Sequence, residues 1–234
     1  MKVVILAGGL GTRLSEYTNT IPKPMVKVNG KPILLRIMNY FAKSGFKDFY
    51  IALGYKGEII RKYFKKNLKR EWKVNLINTG KKTMTGGRLK RLSKLLGKKP
   101  FLMTYGDGLS NVNLKKLISF HYRNKKLVTL TAVRPPARFG YLKLRGNSVK
   151  FFKEKSNTDE GWINGGFFVI HPDFLKLIKG DNTYLEREPL ELLTKKKQLS
   201  AFKHENFWQC MDTIRDKKIL ELELKKKNYK KLFD

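Results

Sequence analysis

The sequence predicts an α/β fold with a mixed, mostly parallel sheet and a smaller part that contains a β-hairpin. Short apolar runs of β type alternate with helical patterns up to residue 134, as parallel strands joined by covering helices require. The alternation stops at Pro135-Pro136, and two short β runs then flank Arg145-Gly146-Asn147-Ser148 as a hairpin. The length of 234 residues and a hydrophobic content of 41% suffice for one sizeable core. A single domain over 1–234 is expected, with halves 1–134 and 135–234.

In chain order, residues 3–6 form a buried first strand; this apolar run is too short for a signal peptide and meets glycines at once. Pro32 suits a first helical turn and opens a helix that ends before Gly45. Residues 49–53 are a second strand, and 58–66 a helix with Ile59, Tyr63 and Phe64 on one side. Strands 74–77, 101–105 and 128–133 alternate with helices 89–96 and 114–122. The hairpin pairs 141–144 with 149–153, and a strand at 163–170 and helices at 190–197 and 213–226 complete the chain. Open parallel sheets bind ligands beyond the carboxyl ends of their strands. Chemistry is therefore expected after Leu6, Leu53, Ile77 and Tyr105.

Composition narrows the function classes. No window holds the roughly 18 apolar residues of a membrane helix. Cys210 is the only cysteine, which excludes an internal disulfide. His121, His171 and His204 lack metal-ligand spacing and read as surface or cap residues. These features suit the cytoplasm. Lys and Arg number 51 against 19 Asp and Glu, a formal net charge of +32. Such a charge raises the question of a polyanion partner. No RNA-recognition, zinc-finger or helix-turn-helix signature accompanies it, and the lysines are spread along the whole chain. A lysine-rich surface, with a local excess around an anionic substrate, is the preferred reading over nucleic acid.

The chemistry-bearing stretch is Leu6-Ala7-Gly8-Gly9-Leu10-Gly11-Thr12-Arg13-Leu14, followed by Pro22-Lys23-Pro24. Glycines let backbone approach phosphate oxygens, and consecutive N–H groups make an anion nest. Arg13 adds a fork-shaped cation and Lys23 a point charge in a stiffened loop. A P-loop would need Gly-Lys-Ser/Thr where Gly11-Thr12-Arg13 stands, and a dinucleotide fingerprint would need a small residue at Leu14. An ordinary glycine turn is the alternative. Asp107, in Thr104-Tyr105-Gly106-Asp107-Gly108, follows a strand and can hold a divalent cation against a triphosphate, with Asp212 as a second ligand. The plainer readings are a turn residue for Asp107 and a helix N-cap for Asp212. Glu154-Lys155 reads as a surface pair or a sugar-phosphate grip, Asn164-Gly165-Gly166 as a bulge or close ligand approach, and Arg138-Phe139-Gly140 opens the hairpin similarly.

Over nearly its whole length the chain resembles the sugar-1-phosphate nucleotidylyltransferases. Within them it resembles the cytidylyl branch that uses glucose 1-phosphate. The branch marks include Leu53-Gly54-Tyr55-Lys56-Gly57, Asn78-Thr79-Gly80, Met84-Thr85-Gly86-Gly87-Arg88-Leu89-Lys90-Arg91, Phe207-Trp208-Gln209 and Met211-Asp212-Thr213. The resemblance implies a Rossmann-like nucleotidyltransferase core. It implies nucleotide binding by Leu6, Ala7, Gly8, Gly9, Leu10, Gly11, Thr12, Arg13, Lys23, Thr83, Thr85, Gly87, Arg88 and Asp107, with residues 83–88 reading the base. Arg13 and Lys23 are implied as catalytic residues, Asp107 and Asp212 as Mg2+ ligands. Gly140, Glu154, Lys155, Asn164 and Gly165 would line the sugar-phosphate pocket. The family works in nucleotide-sugar supply for surface polysaccharides such as lipopolysaccharide O-antigen. The short segment 64–71 departs from the family and bears on its oligomeric contacts; Ser156 and Cys210 stand where proline is usual.

The reaction expected on this resemblance is Mg-dependent in-line displacement, CTP and glucose 1-phosphate giving CDP-glucose and pyrophosphate. The attacking phosphate is already anionic, so no general base is needed. The alternatives are the same reaction with UTP or dTTP, or a non-catalytic polyanion-binding protein on this fold.

Overall fold

The computed structural model describes residues 1–135, 141–153 and 161–234. Seven strands form the main sheet: β1 (Lys2–Ala7), β2 (Asp48–Leu53), β3 (Lys73–Asn78), β4 (Phe101–Tyr105), β5 (Val128–Val133), β6 (Ile163–Ile170) and β7 (Leu199–His204). Their spatial order is β7-β5-β6-β4-β1-β2-β3. Strand β6 runs antiparallel to β4 and β5, whereas β1–β2, β1–β4, β2–β3 and β5–β7 pair in parallel. A parallel return needs a crossover, usually helical. The described residues between β5 and β6 hold the hairpin Tyr141–Arg145 and Ser148–Lys153 and no helix, and the chain comes back antiparallel.

Alternate residues of β1 feed two cores. Val3, Ile5 and Ala7 pack on one face of the sheet, Val4 and Leu6 on the other. Both faces are covered, which is why the strand reads as an unbroken apolar run. Helix α1 (Ile33–Lys43) buries Ile33, Leu34, Ile37, Met38 and Phe41 on the first face. It ends where Gly45 N–H donates to Ala42 O (3.0 Å) and Phe46 N–H to Phe41 O (2.9 Å), closing the orphan carbonyls. Truncating the fully buried Phe41 to Ala is expected to cost about 3–5 kcal/mol.

Several expectations need correction. In α2 (Gly57–Asn67) Ile59, Tyr63 and Phe64 do pack against one core, but the fully buried Ile60 was not anticipated. The helix expected at 89–96 is α3 (Thr85–Arg91) followed by a separate turn, Ser93–Leu96. It starts early because the N–H groups of Gly86 and Gly87 find a partner in Thr183 O, which satisfies donors that a helix start leaves open. After α4 (Leu114–Asn124) and α5 (Glu188–Lys195), the helix expected at 213–226 is two, α6 (Ile214–Glu223) and α7 (Lys227–Phe233). Strand β7 and a short antiparallel pair, Gly108–Ser110 with Trp208–Cys210, were not anticipated. Of the histidines, His171 caps a short helix, but His121 and His204 are buried at 3% and 6% exposure. Among the described residues no helix is long and apolar enough to cross a membrane.

Candidate active site

The turn after β1 is shaped from beneath by Arg88. Its guanidinium is 4% exposed and donates to Leu53 O (3.2 Å), Thr79 Oγ1 (2.8 Å), Gly80 O (2.7 Å), Gly8 O (2.9 Å) and Lys81 O (3.4 Å). These oxygens lie just past the carboxyl ends of β1, β2 and β3, so one side chain ties three strand ends together. A Cβ on Gly8 would sit 2.2 Å from this guanidinium, which explains the glycine. Gly11 has φ +69°, a left-handed conformation that favours glycine. Beyond it, Thr12–Leu14 form a short 3-10 turn. Among the described residues the N–H groups of Gly9 to Arg13 donate to no backbone carbonyl. A row of free donors is therefore left for an anion.

Opposite this turn, three segments far apart in sequence meet. Lys23 sits in a 3-10 turn between Pro22 and Pro24, and its ammonium contacts Asp107 Oδ2 (2.7 Å) and Asp212 Oδ1 (2.5 Å). Arg13 Nη1 lies 2.8 Å from Asp212 Oδ2. The short strand pair brings the carboxylates together: Gly108 pairs with Cys210, and Met211 N–H donates to Asp107 O (2.9 Å). Asp212 is not the cap of α6. Thr213 is, in a capping box with Asp216, whose Oδ2 also accepts the Asp212 N–H (3.1 Å). Burial would raise the Asp212 carboxyl, but the hydrogen bond and charge of Lys23, aided by Arg13, hold it below the usual value. Burial would lower Lys23, and the two carboxylates prevail and raise it. Burial, then Asp212 and Asp107, push the Cys210 thiol up to about 12, so it stays protonated and unreactive.

Two cavities meet here. A cavity of about 880 Å³ is lined by Leu6 through Arg13, Lys23, Thr83, Thr85, Arg88 and Asp107. A second of about 480 Å³ is lined by Asn164, Gly165, Asp107, Asp212 and Arg13. Arg13, Tyr105 and Asp107 belong to both. Of the residues singled out from the sequence, Gly87 stands apart, because its open Cβ position faces the Asp181 backbone at 2.5 Å. Gly140, Glu154 and Lys155, with Arg138, Phe139 and Ser156, lie outside the described residues. Sequence reasoning missed Asn182 and Tyr184 on the larger cavity, and Tyr105, Trp208 and Arg215 on the smaller. Trp208 fixes the β6 bulge by donating to Gly165 O at 2.7 Å. Tyr105 stood inside a quoted motif and Trp208 inside a quoted mark. Asn182 and Tyr184 carried no pattern at all.

Among the described residues no three His, Cys, Asp or Glu side chains cluster as a metal site. Asp107 and Asp212 do converge on one cation, the Lys23 ammonium. Two carboxylates with room for phosphate oxygens are a fitting donor set for a divalent ion.

Residues 2–213 match the family model for nucleotidyl transferases. The chain is 47% identical to glucose-1-phosphate cytidylyltransferase of Salmonella typhimurium, over 94% of this chain and 95% of that protein. It is 42% identical to a probable glucose-1-phosphate cytidylyltransferase of Bacillus subtilis, over 92% and 93% of the two chains. The crystal structure of HddC from Yersinia pseudotuberculosis superposes with a TM-score of 0.77 at 28% identity, covering 95% of this chain and 99% of that one.

Proposed function

The chain belongs to the nucleotidyl transferase family, and from that premise we propose that it transfers a cytidylyl group from CTP to α-D-glucose 1-phosphate, giving CDP-glucose and pyrophosphate. The observation that carries this reading is the junction of two cavities at Arg13, Tyr105 and Asp107, with the Lys23 ammonium held against both carboxylates beside it. The larger cavity suits a nucleoside triphosphate laid along the free N–H groups of the glycine turn. The smaller suits a sugar phosphate, with Asn164 and Gly165 on its wall. The identity to cytidylyltransferases supports CTP and glucose 1-phosphate as the pair.

An oxygen of the sugar phosphate forms a bond to the α-phosphorus of CTP. The bond from that phosphorus to the bridging oxygen breaks, and pyrophosphate leaves with the electron pair. No proton moves, so no general base is required, and the chain's contribution is orientation and charge. Lys23 exchanges its carboxylate partners for phosphate oxygens and offsets charge between the α-phosphate and the sugar phosphate. Arg13 turns from Asp212 to the departing pyrophosphate. The glycine turn holds the phosphates through backbone N–H groups, and Arg88 keeps that turn in place. Asp107 and Asp212 would hold Mg2+, which when bound neutralises triphosphate charge.

The test is incubation with Mg2+, glucose 1-phosphate and CTP, UTP or dTTP in turn, with products read by mass. CDP-glucose is expected from CTP. Product from UTP or dTTP instead would move the assignment to that base. No product from any nucleotide, with polyanion binding that falls steeply with salt, would replace the enzyme reading.

A further inference from the structure

The stretch expected to read the base has much of its hydrogen-bonding capacity committed inside the chain. Thr85 Oγ1 donates to Glu186 Oε2 (2.6 Å) and accepts from Leu185 N–H (2.9 Å). The donors of Arg88 go to backbone and Thr79 oxygens. The N–H groups of Met84, Gly86 and Gly87 go to Asp181 O and Thr183 O. Those bonds also seat residues 181–185 alongside residues 83–87, which line the larger cavity at Thr83, Met84 and Thr85. Asn182 and Tyr184 line the same cavity. Neither side chain forms a hydrogen bond with any described residue. Tyr184 is 40% exposed, and its ring is backed by the Arg187 guanidinium at 4.4 Å.

We propose that Asn182 and Tyr184 complete the base subsite. The Asn182 amide oxygen accepts from the exocyclic amine of cytosine, its amide nitrogen donates to the adjacent ring nitrogen, and Tyr184 stacks on the base. An amide presents one acceptor and two donors side by side, which matches that edge, and an exposed ring offers a stacking face to any base. The position follows from the phosphates. With the triphosphate at the glycine turn and the reacting phosphorus near Lys23, the lining left for the base includes Thr83, Thr85, Asn182 and Tyr184. This inference rests on the cytidylyl reading above and adds two contacts that the sequence motifs do not contain.

The experiment compares wild type, Asn182→Ala, Tyr184→Phe and Tyr184→Ala. Substrates are CTP and the triphosphate of the 2-pyrimidinone nucleoside, which lacks the amine. Asn182→Ala is expected to raise KM for CTP about tenfold, leaving KM for glucose 1-phosphate and kcat within about twofold. Wild type should lose about tenfold in kcat/KM on the amine-free analogue and Asn182→Ala should lose nothing further, since the two changes remove the same bond. Tyr184→Phe should match wild type, and Tyr184→Ala should raise KM for the nucleotide alone. An equal analogue penalty in wild type and Asn182→Ala overturns the contact to the amine, and a KM rise for both substrates overturns the base subsite. If wild type makes CDP-glucose and the variants behave like it, this inference falls while the reaction stands. If wild type makes none, both fall.

Discussion

Lys23 and Arg88 line the same cavity and are 8% and 4% exposed, yet they are held by different chemistry. Lys23 is gripped by two carboxylates. Arg88 rests on four backbone carbonyls and one threonine hydroxyl. Burial lowers Arg88, with Arg91 adding to it and Asp181 opposing, and its hydrogen bonds go to neutral oxygens. Carbonyls at strand ends cannot move, and a cation spent on them is a strut. Carboxylates can change partners, and a cation held between them can be handed to a phosphate. The difference teaches that burial alone does not separate the two cations; the kind of partner that holds each one does.

The largest test of that contrast is Lys23→Ala. Turnover should fall about a hundredfold to a thousandfold, about 2.7–4 kcal/mol of barrier, while the melting temperature stays within a few degrees. Wild-type kcat in that variant would erase the distinction. Arg88→Met should do the converse first. It leaves carbonyls unpaired under the turn and is expected to cost about 3 kcal/mol, or about 6–12 °C in thermal unfolding for a chain of this size. An unchanged melting temperature would show that Arg88 is no strut.

Asp216→Ala sharpens the comparison at smaller scale, because Asp216 holds the backbone N–H groups of Asp212 and Thr213. Loss of the capping box should cost about 1–2 kcal/mol and lower kcat by about tenfold through a loosened Asp212. Asn in its place should recover part of both. The smallest effect is in pH. The folded-state depression of Asp212 contributes stability that is present above its unfolded pKa and lost as pH falls through the folded value. The raised Lys23 contributes stability that is present below 10.5 and lost as pH rises through its folded value. In Lys23→Met burial acts on Asp212 with one opposing cation fewer, so the acid arm should flatten and the Lys23 part of the alkaline arm should vanish. Melting curves from about pH 5 downward, well below the ordinary carboxyl value, and above pH 10 check both arms.

Much of this was legible in the chain. The strands at 101–105, 128–133 and 163–170 came out with the bounds expected, because each is an apolar run buried on both faces. The glycine turn was legible because its backbone conformation demands particular residues. Strand β7, Leu199-Ser200-Ala201-Phe202-Lys203-His204, was not, since an edge strand with mixed polarity carries neither period clearly. Residues 108–110 and 208–210 are too short for any periodic signal, although their pairing brings Asp107 to Asp212.

By itself the sequence determined which segments must be buried, where glycine was obligatory, and which charged residues stand beside the glycine turn and the strand ends. Hydrophobic period and local backbone conformation, as at Gly11, carry most of these signals, although the need for glycine at Gly8 comes from Arg88. Only the tertiary structure decided that Lys23 lies between Asp107 and Asp212, that Arg88 spends its donors on strand ends, and that Asn182 lines the larger cavity. Lys23 meets its carboxylates across 84 and 189 positions and Arg88 meets Gly8 across 80, and a distance set by the packing of the whole sheet leaves no local pattern in the chain.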